Sequence, residues 1–452
     1  MSVPPMRVLV EDPGRMSPAL YRRFWRRAQL EAMIPDLMVR GEPYLALNAL
    51  VLRAEDQHTL ARLTAIFSRV FHAAGQRIAG DVATTIALGF PWAAAELLAR
   101  EVPRLPLLGR FDFVQDISGH WHLLELNADT PSGVREGIVC DRLVADLLLE
   151  ARGLDRPSAG LADRIVAAID AVLTSASKRD GGTLGIVTTA SELEDLSQMA
   201  FTAELLRPHL ATRGWSVVLG DAGNLRLTRA GLTLRGQRID ALYRYLPFEA
   251  IFGTPTFVAM EEAAALGRVE ILNGLYGLLL QNKGTISWIW AHRDDTDLFD
   301  AEARAAIAEH LPGTWPLADA PPTIPRADLV AKQVFGREGQ EVFFGEDCTA
   351  ELWATLARRQ TYVAQVRVRV APVHAVVQTS LGPVVREGYP TVGCFAVDGQ
   401  FAGSYTRCGD KITTARAKWL ATFAEVGPPH PLPPLPCAGE GETAEEVVGM
   451  KT

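Results

Sequence analysis

Residues 110–136 constrain this chain more than any other stretch. They open Arg110-Phe-Asp112-Phe-Val-Gln and continue, past Asp116–Gly119, as Leu-Leu-Glu125-Leu-Asn127-Ala-Asp129-Thr130-Pro131-Ser132. Apolar and polar residues alternate on both sides of a Gly-containing turn, which predicts a strand, a tight turn and a second strand. Successive strand side chains point to opposite faces. Arg110 and Asp112 therefore share one face, and so do Glu125 and Asn127, while Phe111, Phe113, Leu124 and Leu126 take the other. If the two polar faces coincide, one hairpin presents an arginine, two carboxylates and an amide oxygen together. Hard cations such as magnesium take oxygen ligands of this kind, with phosphate oxygens completing the shell. The bland alternative is a hairpin whose polar face is simply wet, which is common in antiparallel sheets.

The rest of the composition sets limits. The chain has 452 residues, room for two or three domains or one elaborate enzyme. With 48% hydrophobic and 22% charged residues it is an ordinary globular chain with ample core. A net charge of −8 argues against a general nucleic-acid binder or a membrane-surface protein, though not against a local basic pocket. Cys140, Cys348, Cys394, Cys408 and Cys437 are scattered, with no zinc or redox spacing, which favours a reduced, cytoplasmic setting. Residues 1–16 carry charges and prolines where a signal peptide would need an apolar run. No apolar stretch is long enough to cross a bilayer. Lysine is scarce: Lys178, Lys283, Lys332, Lys411, Lys418 and Lys451 are set against an arginine-rich background. A chain that so prefers arginine, yet keeps a lysine inside an apolar segment, needs a compact ammonium there.

In chain order, 7–11 reads as a short strand. Residues 18–35, 56–73 and 83–101 read as helices, the last broken near Gly89–Pro91, and 138–152 as a helix after the hairpin. From 160 to 272 strands alternate with helices, which argues for a mostly parallel sheet. Residues 274–290 read as helical, 328–344 as a hairpin, and 349–358 as a helix. Strands then dominate at 361–370, 374–379, 391–397 and 401–406. This divides the chain into 1–158 (N-terminal helices and the acidic hairpin), 159–272 (a parallel α/β unit), 273–426, and a proline-rich tail at 427–452 expected to be flexible. No GxGxxG or Walker A pattern is present, so the dinucleotide and P-loop readings lose their support.

Lys332 lies on a predicted strand just before Gly336-Arg-Glu-Gly339. A glycine-rich hairpin lets backbone N–H groups approach phosphate oxygens, and the lysine adds a point charge. The alternative is a tight turn with a snorkelling lysine. Lys283 follows a run of leucines, where a helix-edge lysine would do as well. Arg407 sits at a strand end beside Gly409, able to reach a site or to stay in solvent. The nine histidines form no ligand cluster in sequence, and His120 and His122 are expected at the surface of a turn. No nucleophile elbow surrounds Thr130 or Ser132.

These residues resemble a family. Arg110-x-Asp112 followed by Glu125-x-Asn127-Ala-Asp-Thr-Pro-Ser looks like the metal and substrate motif of glutathionylspermidine synthetase-like ATP-grasp proteins. Ile239-Asp-Ala-Leu-Tyr-Arg244-x-x-Pro-Phe-Glu249 is similar to a second stretch of that family. Gln281-Asn-Lys283 and Lys332-x-x-x-Gly336-Arg-Glu-Gly339 resemble its two nucleotide-lysine segments. Tyr362-Val-Ala-Gln365 looks like its adenine-hinge strand, and Thr406-Arg407-Cys-Gly-Asp410 its late arginine. The matches run in family order from about 15 to 420, with no amidase domain ahead of them, as in the stand-alone type.

The resemblance implies an α/β (α+β) ATP-grasp fold with permuted motif order, beside a parallel-sheet pre-ATP-grasp domain. It implies magnesium on Asp112, Glu125 and Asn127, and ATP phosphates on Lys283 and Lys332 under the Gly336–Gly339 loop. Gln365 would meet the adenine, Arg110 and Arg407 would steady an acyl phosphate, and Thr130 and Ser132 would touch the acyl substrate. Two departures stand out: Thr413-Thr-Ala415-Arg replaces the family's asparagine-bearing run, and the hinge lacks a glutamate after Gln365. The expected activity is an ATP-dependent carboxylate–amine ligase joining a small-molecule or peptide carboxylate to an amine, with no nucleic acid or membrane partner. The alternatives are an ATP-grasp phosphotransferase that forms no amide, and a non-catalytic nucleotide-binding scaffold.

Overall fold

The computed structural model describes residues 6–427 apart from 36, 40, 178–180 and 338. The expected tail therefore lies outside the described residues beyond Gly427. Among the described residues no helix is long and apolar enough to cross a membrane.

An eight-stranded sheet forms the middle of the molecule. Its strands run in the order Arg7–Val8, Leu45–Leu52, Lys418–Ala424, Gln400–Gly409, Gly382–Val397, Leu108–Gln115 and Trp121–Asn127. Val373–Thr379 pairs with the first half of the long strand Gly382–Val397. All pairings are antiparallel except that of Lys418–Ala424 with Leu45–Leu52. Strands from both ends of the chain thus share one sheet. The hairpin expected at 110–127 is its edge, and its register sets Arg110 opposite Asn127 and Asp112 opposite Glu125. The two polar faces coincide.

One expectation fails at this hairpin. The register shifts between Asp112 and Phe113, so that Phe113 faces Leu123 and Leu124 becomes the extra residue. A bulge reverses the alternation beyond it. Leu123 takes the core and is fully buried, while Leu124 turns to the polar face.

The helix Ala54–Ala79 packs across the sheet. Its apolar residues Leu60, Leu63, Phe67, Val70, Phe71, Ala74 and Ile78 recur every three or four positions and are all buried. Phe67 meets Phe113 and Phe71 meets Phe111, with ring centroids 6.4 and 5.8 Å apart. Gly75 is required where helix Leu275–Gln281 crosses: a Cβ there would lie 2.4 Å from Leu280 and 2.5 Å from the Tyr276 hydroxyl. A four-stranded sheet, Thr314–Pro316, Tyr362–Val366, Leu329–Gln333 and Val342–Phe344, faces the acidic hairpin. The expected parallel sheet is present as Glu270–Ile271, Ala241–Arg244, Gly182–Thr188 and Trp215–Asp221.

Several boundaries differ from the sequence reading. The strand expected over 361–370 ends at Val366, because Arg367 donates its N–H to Asp328 O in a loop instead. The helix expected over 138–152 breaks into a π-turn at Glu136–Cys140, a helix at Asp141–Leu147 and a 3-10 turn at Leu149–Ala151. Strands Leu45–Leu52 and Lys418–Ala424 and helix Ala301–His310 were not anticipated. Both strands are buried along their whole length, so no polar alternation marks them.

Asn48 is the exception in that apolar run, and it is fully buried. Its Oδ1 accepts from Val10 N and Ala49 N, both at 2.8 Å, and its Nδ2 donates to Val10 O and Val376 O at 2.9 and 3.1 Å. One amide therefore satisfies backbone groups of two neighbouring segments. Replacing Asn48 with Leu strands those groups in an apolar interior and is expected to cost about 2–4 kcal/mol. A lowered thermal midpoint checks this; an unchanged midpoint refutes it.

Candidate functional site

A cleft separates the acidic hairpin from the four-stranded sheet. Asp112 and Glu125 come from the hairpin, Lys283 from the start of helix Lys283–Ala291, Lys332 and Gln365 from the opposing sheet, and Arg407 from the strand Gln400–Gly409. All line one cavity, with Gly336 and Gly339 above them. Two of the scarce lysines thus meet both hairpin carboxylates.

Asp112 is saturated with donors. Arg110 grips it through Nε–Oδ1 at 2.7 Å and Nη2–Oδ2 at 3.0 Å, with both side chains buried. Arg407 Nη2 and Asn127 Nδ2 reach the same Oδ2 at 3.3 and 3.2 Å. Arg110 also donates to Ser132, at 2.7 Å to its carbonyl and 3.3 Å to its hydroxyl. Burial works against the Arg110 charge, but Asp112 outweighs it and holds the guanidinium above its ordinary range.

Glu125 forms an ion pair with Lys283 at 3.3 Å. Burial pushes its carboxyl up; Lys283, Lys332 and Arg407 together overcome that and hold it well below the usual carboxylate range. Lys332 is the converse. Burial pulls its ammonium down to about 8, against a partly restoring Glu125. Its Nζ donates to Gln365 Oε1 at 2.6 Å, and Gln365 in turn donates to Thr314 Oγ1 at 3.2 Å. Away from these charges, Val114, Leu124, Val330, Val342, Phe344 and Val370 make an apolar wall. The bulge supplies its Leu124. A polyanion with a flat apolar group attached matches this division of the cleft.

The glycine-rich loop is tied down over the site. Lys283 Nζ donates to Gly336 O at 2.7 Å. Arg337 makes three contacts on one side: Nε with Glu249 Oε1 at 2.5 Å, Nη1 with Thr130 Oγ1 at 2.8 Å and Nη2 with Asp129 Oδ2 at 2.8 Å. Gly339, at φ +69°, lies against Thr413, whose carbonyl would be 2.5 Å from any Cβ placed there. The space left beneath is about 110 Å³. Ligand pockets for drug-sized molecules span roughly 300–1,000 Å³, so this space is narrow by comparison.

Not every expected residue faces the cavity. Arg110 and Asn127 stand behind Asp112, while Thr130 and Ser132 are held by Arg337 and Arg110 at the side. The sequence reading gave no role to Asp129, Arg244, Gln281 or Arg337. Asp129 is fully buried and receives Arg244 as well as Arg337. Gln281 Oε1 accepts the N–H groups of Ala128 and Asp129 at 3.0 and 3.1 Å. An aspartate inside Asn-Ala-Asp-Thr-Pro and an arginine between two loop glycines were the available signals. The histidine reading needs correction: His120 meets His310 and Glu309, which sequence distance had hidden.

The family model described as glutathionylspermidine synthase pre-ATP-grasp matches residues 22–425. The chain belongs to that family. Among solved structures it is similar to a glutathione synthetase-like effector from Globodera pallida in its apo form, with a TM-score of 0.65 and 12% sequence identity. That match covers 92% of this chain and 98% of the other, and it shows the fold. No curated protein sequence matches the chain. The family is one of ATP-grasp-type ligases, and the mixed α/β architecture with its parallel sheet is that of a pre-ATP-grasp plus ATP-grasp-like fold.

Releasing the loop tests how the cleft is closed. Arg337→Ala removes three ties at once and is expected to speed limited proteolysis within 336–341 several-fold, with Glu249→Gln giving a smaller effect. An Arg337→Ala loop cut no faster than the wild type would show that another contact holds it.

Proposed function

We propose that this protein is an ATP-dependent ligase that joins a carboxylate to an amine through an acyl phosphate, releasing ADP and phosphate. The observation that carries the reading is the meeting of Glu125 and Asp112 with Lys283, Lys332 and Arg407 in one cleft beside an apolar wall. Cations must converge where a phosphoryl group is transferred, because its charge spreads over three oxygens. On this reading residues 1–158 and 273–426 make the nucleotide-binding unit and 159–272 the adjoining pre-ATP-grasp domain.

Lys283 and Lys332 hold the phosphates as point charges, and the Gly336–Gly339 loop covers them. Gln365 stands at the adenine end, where the apolar wall receives the ring. The carboxylates of Asp112 and Glu125, which face the cavity, with the side-chain oxygen of Asn127 turning in from behind Asp112, would make the all-oxygen set that suits magnesium, and Glu125 is kept ionised for it. Bound there, the ion would neutralise charge on the phosphate oxygens. Arg110 holds Asp112 and Ser132 in fixed relation, and Arg407, the more exposed of the two arginines, meets the transferring phosphoryl group. Thr130 and Ser132 border the place where the acyl carboxylate attacks the γ-phosphorus; ADP leaves, and the amine then displaces phosphate at the acyl carbon. The name of the family points to a peptide-like acid and an amine, and a panel of such acids crossed with amines, read by ADP release and product mass, identifies the pair. A phosphorylated product without an amide would favour the phosphotransferase reading.

Two outcomes test the site. Glu125→Ala and Lys332→Ala are each expected to abolish ADP release with the productive pair; full turnover in either would overturn the assignment. The pH dependence follows from Lys332. Its pKa is lowered to about 8, so its charge is complete below that pH and lost as pH rises through it. ATP affinity measured by calorimetry should therefore weaken between pH 7 and 9.5, and Lys332→Gln should bind weakly with a flatter profile. An equally steep profile in Lys332→Gln would assign the titration to another group.

A further inference from the structure

The turn of the acidic hairpin carries a second group of ligand-type side chains, none of which lines the cleft. His120 stacks on His310, with centroids 4.7 Å and planes 2° apart, and His122 meets His120 edge-on at 4.9 Å. His310 and Glu309 end the helix Ala301–His310. One ligating atom from each of His120, Glu309 and His310 lies within 4.8 Å of the other two.

Hydrogen bonds define the tautomers of the two stacked rings. His120 Nε2 lies 2.9 Å from Glu309 O, and His310 Nδ1 lies 2.8 Å from Trp121 O. A carbonyl oxygen only accepts, so in the neutral rings these nitrogens carry the proton. The lone pairs are then on His120 Nδ1 and His310 Nε2. Metal-ligating histidines characteristically donate their other N–H to a carbonyl or carboxylate in this way, which fixes the ring. His310 Nε2 is 3.8 Å from Glu309 Oε2. The group opens on a cavity of about 490 Å³, walled across from it by Glu55, His58 and Arg62.

We propose that His120, Glu309 and His310 form a metal site separate from the Asp112–Glu125 pair, taking a borderline divalent ion of the zinc class. Imidazole nitrogens select zinc, cobalt or nickel over magnesium, whereas the all-oxygen set in the cleft does the reverse. Two histidines and one carboxylate leave a fourth position, which water from the cavity fills. The parallel stack is the ion-free packing. In-plane lone pairs of parallel rings cannot converge on one point, so binding tilts the rings out of parallel about the carbonyl hydrogen bonds that hold them and draws in the exposed Glu309 carboxylate. The ion then links the turn of the hairpin to the end of the helix. Leu311, Pro312 and Gly313 follow, and then the strand Thr314–Pro316 of the opposing sheet. Such a link stabilises the fold whether or not the ligase reading holds.

The test uses the whole chain, stripped with a chelator and titrated with Zn²⁺ in excess magnesium. Calorimetry is expected to find one saturable site, and Co²⁺ to give visible absorption bands of a nitrogen-ligated ion. Zinc should raise the thermal midpoint. His120→Gln, His310→Gln and Glu309→Gln should each weaken binding at least tenfold, and Glu125→Gln should leave it unchanged. Glu309 is exposed, so Glu309→Gln decides the matter if a histidine variant fails to fold. No saturable zinc binding, binding unaltered in Glu309→Gln, or binding lost in Glu125→Gln would each overturn the proposal.

Discussion

Glu125 and Lys283 sit 3.3 Å apart on the floor of a cleft that would be costly to build from either residue alone. A buried charge with no partner is strongly destabilising, and a pair repays its desolvation only when further donors complete it. The cleft meets that condition collectively. Arg110, Arg407 and Asn127 complete Asp112; Lys283, with Lys332 and Arg407 nearby, balances Glu125; Gln365 takes up Lys332. In the free site every one of these ionised side chains is paired or hydrogen-bonded, with two carboxylates set against two arginines and two lysines. On the proposed reading, a triphosphate with its cation enters by exchanging partners: the lysines turn from carboxylate to phosphate, and the carboxylates turn to the metal. On that reading the positive excess of the free site is what a triphosphate with its cation would bring into balance, so that no buried charge is left without a partner in the bound state.

Asp129 couples this cleft to the rest of the molecule. It is fully buried, and Arg244 from the parallel sheet and Arg337 from the glycine-rich loop both end on it. Arg244 also lies over the Phe248 ring at 3.7 Å, so its position is fixed by packing as well as by charge. Gln281, two residues before Lys283, holds the backbone of Ala128 and Asp129. The segment 128–132 is thus supported by three separate parts of the chain at once. An acyl substrate held there would sense the position of the loop through Thr130, which shares Arg337 with Asp129 and Glu249.

The parts of this arrangement that were legible in the sequence are those written in a local pattern. Alternation placed Arg110, Asp112, Glu125 and Asn127 on common faces, and the observed register joins those faces. The alternation of strands and helices over 160–272 gave the parallel sheet for the same reason. Leu124 was misplaced because a bulge is an insertion in register, and nothing in Leu123-Leu124 says which leucine is the extra one. Leu45–Leu52 and Lys418–Ala424 were missed because strands buried on both faces lose the period that identifies them. The partners of Arg337, and the meeting of His120 with His310, depend on segments more than eighty residues apart being brought together by the sheets.

The hinge shows how a departure from a family pattern can be absorbed. The position after Gln365 is Val366, and the next residue, Arg367, pairs with Glu346 at 2.7 Å. Its guanidinium covers Phe344 at 4.2 Å from the ring centre. Phe344, Val330 and Val342 line the cleft on that side, and Val114 and Leu124 line it from the hairpin. A base entering between them would be held chiefly by dispersion and desolvation on two apolar walls, with the backbone at the end of Tyr362–Val366 left to read its edge. On the proposed reading Arg367 would act on such a base only indirectly, through the ring that forms one wall. The bulge and the hinge region meet at the same cleft: Leu124 contributes apolar surface from the large sheet and Phe344 from the small one.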